Sequence, residues 1–248
     1  MKRPTSIYDG PLVLVNATHP FTAPAPDDLV SLSPESDICL RHEAAKALTR
    51  LLAALDCGDA ILPVSGYRSN DEQRHLYEAS LHDNGVDFTR RFVAAPGTSE
   101  HETGLAIDLA LNQPPIDPIC PVFPYEGICQ QFRALAPRYG FIERYPADKE
   151  TLTGIAHEPW HFRYVGTPHA RLIHLQGFCL EEYLSWLHRY TLDRPLRVGQ
   201  NHLPDVLIGF LPLADAERLS GMRQQSTCRI SGTGSDGYIV TFSEAAHD

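Results

Sequence analysis

Pro159 sits inside the pentapeptide His157-Glu158-Pro159-Trp160-His161, and it limits what this part of the chain can become. Read by letters alone, the stretch matches H-E-x-x-H, in which two histidines one helical turn apart face a zinc ion. That arrangement needs an uninterrupted helix. A proline in a helix interior removes a hydrogen bond and clashes with the preceding turn, at a cost of about 3 kcal/mol. A helix starting at Glu158 would tolerate the ring but would leave His157 outside it. Downstream, "HFRYV" (161–165) is aromatic and β-branched, with neither caps nor a helical stripe. The segment is expected to be a turn entering a strand, and the helical zinc reading fails. Glu158 and His161 remain a carboxylate and an imidazole three residues apart.

A second stretch is almost as restrictive. In "GTSEHETGLAIDLAL" (97–111), Leu105, Ile107, Leu109 and Leu111 alternate with Ala106, Asp108 and Ala110. A period of two predicts a strand with leucines and isoleucine on one face and Asp108 on the other. Elsewhere the pattern is helical. Ala44, Leu48, Leu51, Leu52 and Leu55 recur every three or four residues up to Gly58. Ser69 followed by Glu72 forms a capping box that predicts a helix over 70–83, ending at Asn84-Gly85. Strands are expected at 11–16, 60–68 and 141–145, a helix at 129–140, and one or two helices within 168–190. Beyond about residue 195 the texture becomes β, with Asp236-Gly237 as a hairpin signal. Helices and strands mix without regular βαβ alternation, so the expected class is α+β. The expected organisation is a domain over 1–195, with an irregular lead-in at 1–36, and a β-rich extension over 196–248 packed on that core.

Composition narrows the function classes. The net charge is −10, opposite in sign to that of a protein that grips a nucleic-acid backbone. The longest apolar runs, such as 206–214, fall far short of a membrane span. The N-terminus has no continuous apolar segment of the kind an export signal requires. The six cysteines are scattered without a C-x-x-C pair and are expected to be reduced thiols in a cytoplasmic protein.

Metal ligands could come from His101, Asp108 and His161, with Glu158 beside them. His101 and Asp108 would stand roughly 10.5 Å apart in a helix or about 23 Å apart in a straight strand. Neither spacing lets both touch one ion. A loop folding back at Thr103-Gly104 would. Arg68, in "SGYRS" (65–69), stands at the start of the capped helix, from which a guanidinium can reach an anion. Ser99 lies on the His101 loop. With 12 histidines in the chain, chance pairings are easy and a lone histidine is more often packed or on the surface than a ligand, so spacing by itself leaves that reading open beside the metal site.

Taken together, "SEHETGLAID" (99–108) matches S-x-H-x-x-G-x-A-x-D and "EPWH" (158–161) matches E-x-x-H, with "SGYRS" upstream. In that order the three resemble the VanY/VanXY group of zinc D-alanyl-D-alanine carboxypeptidases and dipeptidases, over about residues 60–190. The resemblance implies a small α+β fold of the D-Ala-D-Ala peptidase/hedgehog-like kind, its antiparallel sheet carrying the zinc and flanked by helices. It implies one catalytic Zn2+ held by His101, Asp108 and His161, with Glu158 as general base and Arg68 stabilising the tetrahedral intermediate. Ser99 and Gln73 occupy positions that help hold substrate in similar proteins. His157 matches no ligand position and is either a supporting or a structural group. The implied partner is a peptide ending in D-Ala-D-Ala, taken as dipeptide or as peptidoglycan precursor, with a place in glycopeptide resistance. A loop over the site, within 84–97 or 112–125, is expected to decide between those substrates. An L-Ala-D-Glu-type wall endopeptidase and a non-catalytic zinc-binding module are the alternatives.

Overall fold

The computed structural model describes residues 6–200, 203–222 and 228–243. They form two compact units, one of residues 15–179 and one joining residues 1–14 to 180–248. The sequence places its boundary at 195/196, whereas these units divide at 179/180 and the first residues go with the C-terminal part.

The 15–179 unit contains β1 (Leu29–Ser31), β2 (Cys39–Arg41), α1 (His42–Leu55), β3 (Ile61–Ser65), α2 (Asn70–Asp83) and α3 (Val86–Phe92). It continues with β4 (Ala106–Leu111), α4 (Gly127–Leu135), β5 (Phe141–Tyr145), α5 (Glu150–Thr153), β6 (Glu158–Tyr164) and α6 (His169–Gln176). β1 and β2 pair as a small ribbon, and β3, β4, β6 and β5 lie side by side in that order in an antiparallel sheet. One face of the sheet makes the core. Ile107 and Leu109 of β4 and Phe162 of β6 are fully buried there with Leu48 and Leu51 of α1 and Phe132 of α4. Burying such a side chain is worth about 1.5–3 kcal/mol. Phe162 meets Phe123 and Phe132 edge to face at 5.5 and 4.9 Å.

The capping box forms as the sequence predicts. Ser69 Oγ accepts from Glu72 N, Glu72 Oε2 accepts from Ser69 N, and α2 spans Asn70–Asp83. α1 ends three residues before Gly58, because Asp56 takes the left-handed conformation (φ 49°) and its N–H caps Ala53 O. α3 was not anticipated; "VDFTRRF" is too short for a periodic signal.

Pro159 lies inside β6 itself, so Glu158 belongs to the strand and not to a turn before it. Glu143 and Tyr145 of β5 pair with Phe162 and Glu158 of β6, two residues against four. β6 therefore bulges across 159–161, where a missing ladder N–H is tolerated.

The other unit carries α7 (Leu180–Leu187), β7 (Leu196–Gln200), β8 (Leu203–Pro212), α8 (Leu219–Met222), β9 (Cys228–Gly232) and β10 (Gly237–Ser243). Its strands form a second antiparallel sheet, β7-β8-β10-β9, with Asp236-Gly237 closing the β9–β10 hairpin as expected. The strand expected at 11–16 does not form. Leu12–Val15 are buried, but they bond singly, Leu12 N to Ser231 Oγ and Leu14 N to Thr233 O.

Candidate active site

Three elements bring the ligand candidates together. Asp108 on β4 faces His161 across the ladder to β6, and on its other side it pairs with Ser65 of β3. A 3-10 turn, Glu100–Thr103, delivers His101. The chain folds back after it through Gly104, at φ 68°. A Cβ on Gly104 would lie 2.9 Å from Leu29 Cδ2 and 3.0 Å from Arg41 Cγ, so only glycine makes this turn here.

His101, Asp108 and His161 are all buried, and one ligand atom from each lies within 4.8 Å of the others. Asp108 Oδ2 is 3.1 Å from His101 Nε2, and Asp108 Oδ1 is 2.9 Å from His161 Nδ1. His101 Nδ1 lies 2.6 Å from Gly66 O and donates to it, which leaves Nε2 as the acceptor nitrogen facing the triad. Gly66 is fixed by close approach: a Cβ there would lie 2.4 Å from Cys39 O. Two imidazoles and one carboxylate, converging and buried, are a donor set that suits zinc with a position left open.

The remaining expected residues line the same pocket: Arg68, Gln73, Ser99 and Glu158, with apolar walls from Phe92 at the end of α3, Val93 after it, Ile119 of the 112–125 loop and Trp160. Glu158 has the strand parity of the core residues Trp160 and Phe162. The bulge in β6 nevertheless brings its Oε2 to 3.9 Å from His161 Nδ1. Arg68 is held before any substrate arrives, Nη1 donating to Gln73 Oε1 and Nη2 to Ser65 Oγ, each at 2.7 Å. Gln73 is buried and its Nε2 donates to Ala94 O, so both ends of its amide are engaged. His157 stands apart from the triad. It meets the Tyr125 hydroxyl at 2.7 Å and stacks on that ring.

The electrostatics are strongly coupled. Burial pushes Glu158 up, and the neighbouring Asp108 and Glu100 carboxylates add to it, reaching about 8. Burial would also raise Asp108, but the imidazoles of His101 and His161 outweigh it and hold the carboxyl well below its usual range. Burial alone would lower His161, yet Asp108, with Glu100 and Glu158, raises it to about 10. His101 is lowered, chiefly by burial. Two neighbours were missed from sequence. Tyr145 packs on the His161 ring at 5.0 Å, and Glu100 reaches its far edge. Glu100 stands in an unspecified position of the 99–108 motif, so only its place beside His101 could have marked it.

An antiparallel sheet that presents a His/Asp/His set beside a buried carboxylate and a fixed guanidinium defines a metal-dependent hydrolase. The D-alanyl-D-alanine carboxypeptidase family VanY matches residues 37–167. The chain is 46% identical over 179 residues to the bifunctional D-Ala-D-Ala dipeptidase and carboxypeptidase VanXYC of Enterococcus gallinarum, covering 71% of this chain and 94% of the relative. Its fold matches the vancomycin resistance D,D-dipeptidase VanXYg, solved with a D-Ala-D-Ala phosphinate analogue, at TM-score 0.90 and 43% identity, over 96% of this chain and 95% of that one. It also matches a mutant of the D,D-pentapeptidase VanY from a VanB-type resistance cassette, solved with Zn(II), at TM-score 0.59 and 33% identity, over 70% and 98% of the two chains. The chain belongs to the VanY D-alanyl-D-alanine carboxypeptidase family.

Proposed function

We infer that this chain is a zinc-dependent D,D-peptidase that hydrolyses the D-Ala-D-Ala dipeptide and removes the terminal D-alanine from peptidoglycan precursor peptides, in the setting of glycopeptide resistance. The observation that carries the reading is the convergence of His101, Asp108, His161, Glu158 and Arg68 on one pocket. The D-Ala-D-Ala dipeptidase and carboxypeptidase activities of VanXYC and the D,D-dipeptidase activity of VanXYg support the substrate.

When bound by His101, Asp108 and His161, zinc supplies a Lewis acid that polarises the scissile carbonyl and acidifies water. Glu158 does the proton work. Its carboxylate accepts the proton of the attacking water and returns it to the leaving D-alanine amine. With protein groups alone Glu158 holds its proton up to about pH 8, and its proton affinity falls when the triad carries a cation. Arg68, preorganised by Gln73 and Ser65, stabilises the negative charge that develops on the carbonyl oxygen. Ser99 and Gln73 border the substrate, and Gln73 acts at least in part through Arg68. A cytoplasmic setting, where precursors are made, is supported by the six cysteines, all of them free thiols.

The test is D-alanine release from D-Ala-D-Ala and from a muramyl pentapeptide, by zinc-loaded protein, chelated protein and Glu158→Ala. The expected result is release from both substrates, abolished by either treatment. Zinc-loaded protein that releases nothing from either substrate but cleaves intact wall would replace this reading with the endopeptidase one.

A further inference from the structure

A buried charge cluster beneath the triad has no part in the steps above. Glu100 precedes His101, and its side chain is fully buried, as are those of Arg144 and Arg163. Both guanidinium groups reach the same carboxylate oxygen: Arg144 Nε is 2.8 Å and Arg163 Nη1 is 2.9 Å from Glu100 Oε1. A carboxylate serving only as their counter-ion would be expected to share both oxygens between them. Here Oε2 lies instead 3.5 Å from His161 Nε2. Neither of those two buried atoms has a hydrogen-bond partner in this arrangement. On its opposite edge the same imidazole presents Nδ1 to Asp108 Oδ1 at 2.9 Å.

One nitrogen of His161 thus faces the ligand set and the other faces a fixed carboxylate oxygen. Which nitrogen of a histidine binds a metal is set by the hydrogen bond that the other one makes. We propose that Glu100 is a positioning residue for the metal centre, its Oε2 accepting the Nε2–H of His161 so that Nδ1 is committed to the ion, with Arg144 and Arg163 holding the carboxylate in place. This rests on the reading of His101, Asp108 and His161 as ligands. Small movement of the ring, well under 1 Å, closes the Nε2–Oε2 contact to hydrogen-bond length.

The wild-type protein gives the first test. Zinc-loaded protein labelled with 15N-histidine is examined by NMR. The expected His161 spectrum shows a protonated Nε2, its proton downfield and slow to exchange, and a metal-shifted Nδ1. An unprotonated Nε2, or an Nε2–H exchanging as fast as an exposed imidazole, overturns the proposal. Zinc affinity by chelator competition gives the second. Glu100→Gln is expected to bind zinc about 10–100-fold more weakly than wild type. Glu158→Gln makes the same carboxyl-to-amide change in the same pocket without touching Nε2, and it serves as the control. Equal losses in the two variants would reduce Glu100 to a distant charge and overturn the proposal. If Glu100→Gln fails to fold, the wild-type spectrum still decides. Wild-type protein that binds no zinc would remove the ligand reading itself, an outcome distinct from zinc bound with the other tautomer.

Discussion

Glu158 shows how far a single residue's role depends on its surroundings. An exposed carboxylate would be ionised at neutral pH and a poor proton acceptor, whereas burial raises this one to about 8. Glu158→Gln is expected to lower kcat by about 10²–10⁴ while zinc content, measured by mass spectrometry, stays near wild type. A fall of less than tenfold would remove Glu158 from the proton transfer. The buried charges also fix the pH profile of the apoprotein's stability. Glu100 and Asp108 sit below their ordinary values of 4.5 and 3.8; in both, burial is outweighed, by the arginines at Glu100 and by the imidazoles at Asp108. Their contribution is present above those ordinary values and is lost as pH falls through the lowered ones. His161 has the opposite sign. It is raised from 6.5 to about 10, so its contribution is whole below 6.5 and is lost as pH rises through about 10. Glu158, raised from 4.5 to about 8, loses its contribution across that span, so its loss begins below that of His161. Urea unfolding of chelated protein should therefore show stability that falls as pH rises from 6.5 to 10, and stability that is flat over that range would contradict the assignment. The residue types at this site were legible in the sequence. The second imidazole nitrogen of His161 was not, because nothing near it in sequence indicates that Glu100 and two arginines pack behind it.

Among the elements, α2 was the most legible, because a capping box is written within four residues and acts locally. Removing the cap should be felt twice. Ser69→Ala is expected to cost about 0.5–2 kcal/mol of stability. It should also raise KM, since Arg68 immediately precedes the cap and Gln73, which holds its guanidinium, lies in the first turns of α2. Ser69→Asp keeps an acceptor at the cap and should restore both. Unchanged melting temperature and KM in Ser69→Ala would show that the helix is held by packing alone. β4 was legible for a similar reason, its period of two lying within seven residues. β6 was only half so. Pro159 forbids a helix, but the two-against-four pairing with β5 that turns Glu158 into the pocket is a property of the strand pair and not of either strand. α3, which precedes the apolar wall residue Val93, leaves no periodic trace in the sequence, because seven residues are too few to show one.

For the whole molecule, the ligands lie on a turn and two strands and come together only in the folded 15–179 unit. An ion that binds the folded but not the unfolded state stabilises by mass action, about 4 kcal/mol when free ion is roughly a thousand times its Kd. For a unit of this size that corresponds to roughly 8–16 °C. In calorimetry, chelation should lower the unfolding transition of the 15–179 unit by an amount that grows with the zinc concentration used for comparison, and zinc should restore it. A transition unmoved by chelation and zinc would place the ion elsewhere or deny it. The sequence by itself determined the chemistry available, the α+β class, the capped helix after Arg68, the Asp108 strand and the exclusion of a helical H-E-x-x-H site. These follow from backbone preferences and side-chain periods that act over a few residues. The tertiary structure alone decided that Asp108 faces His161 across 53 residues of chain, that the bulge aims Glu158 into the pocket, and that Glu100 stands behind the imidazole. Strand register and the burial of paired charges set those distances, and both depend on contacts between segments far apart in the chain.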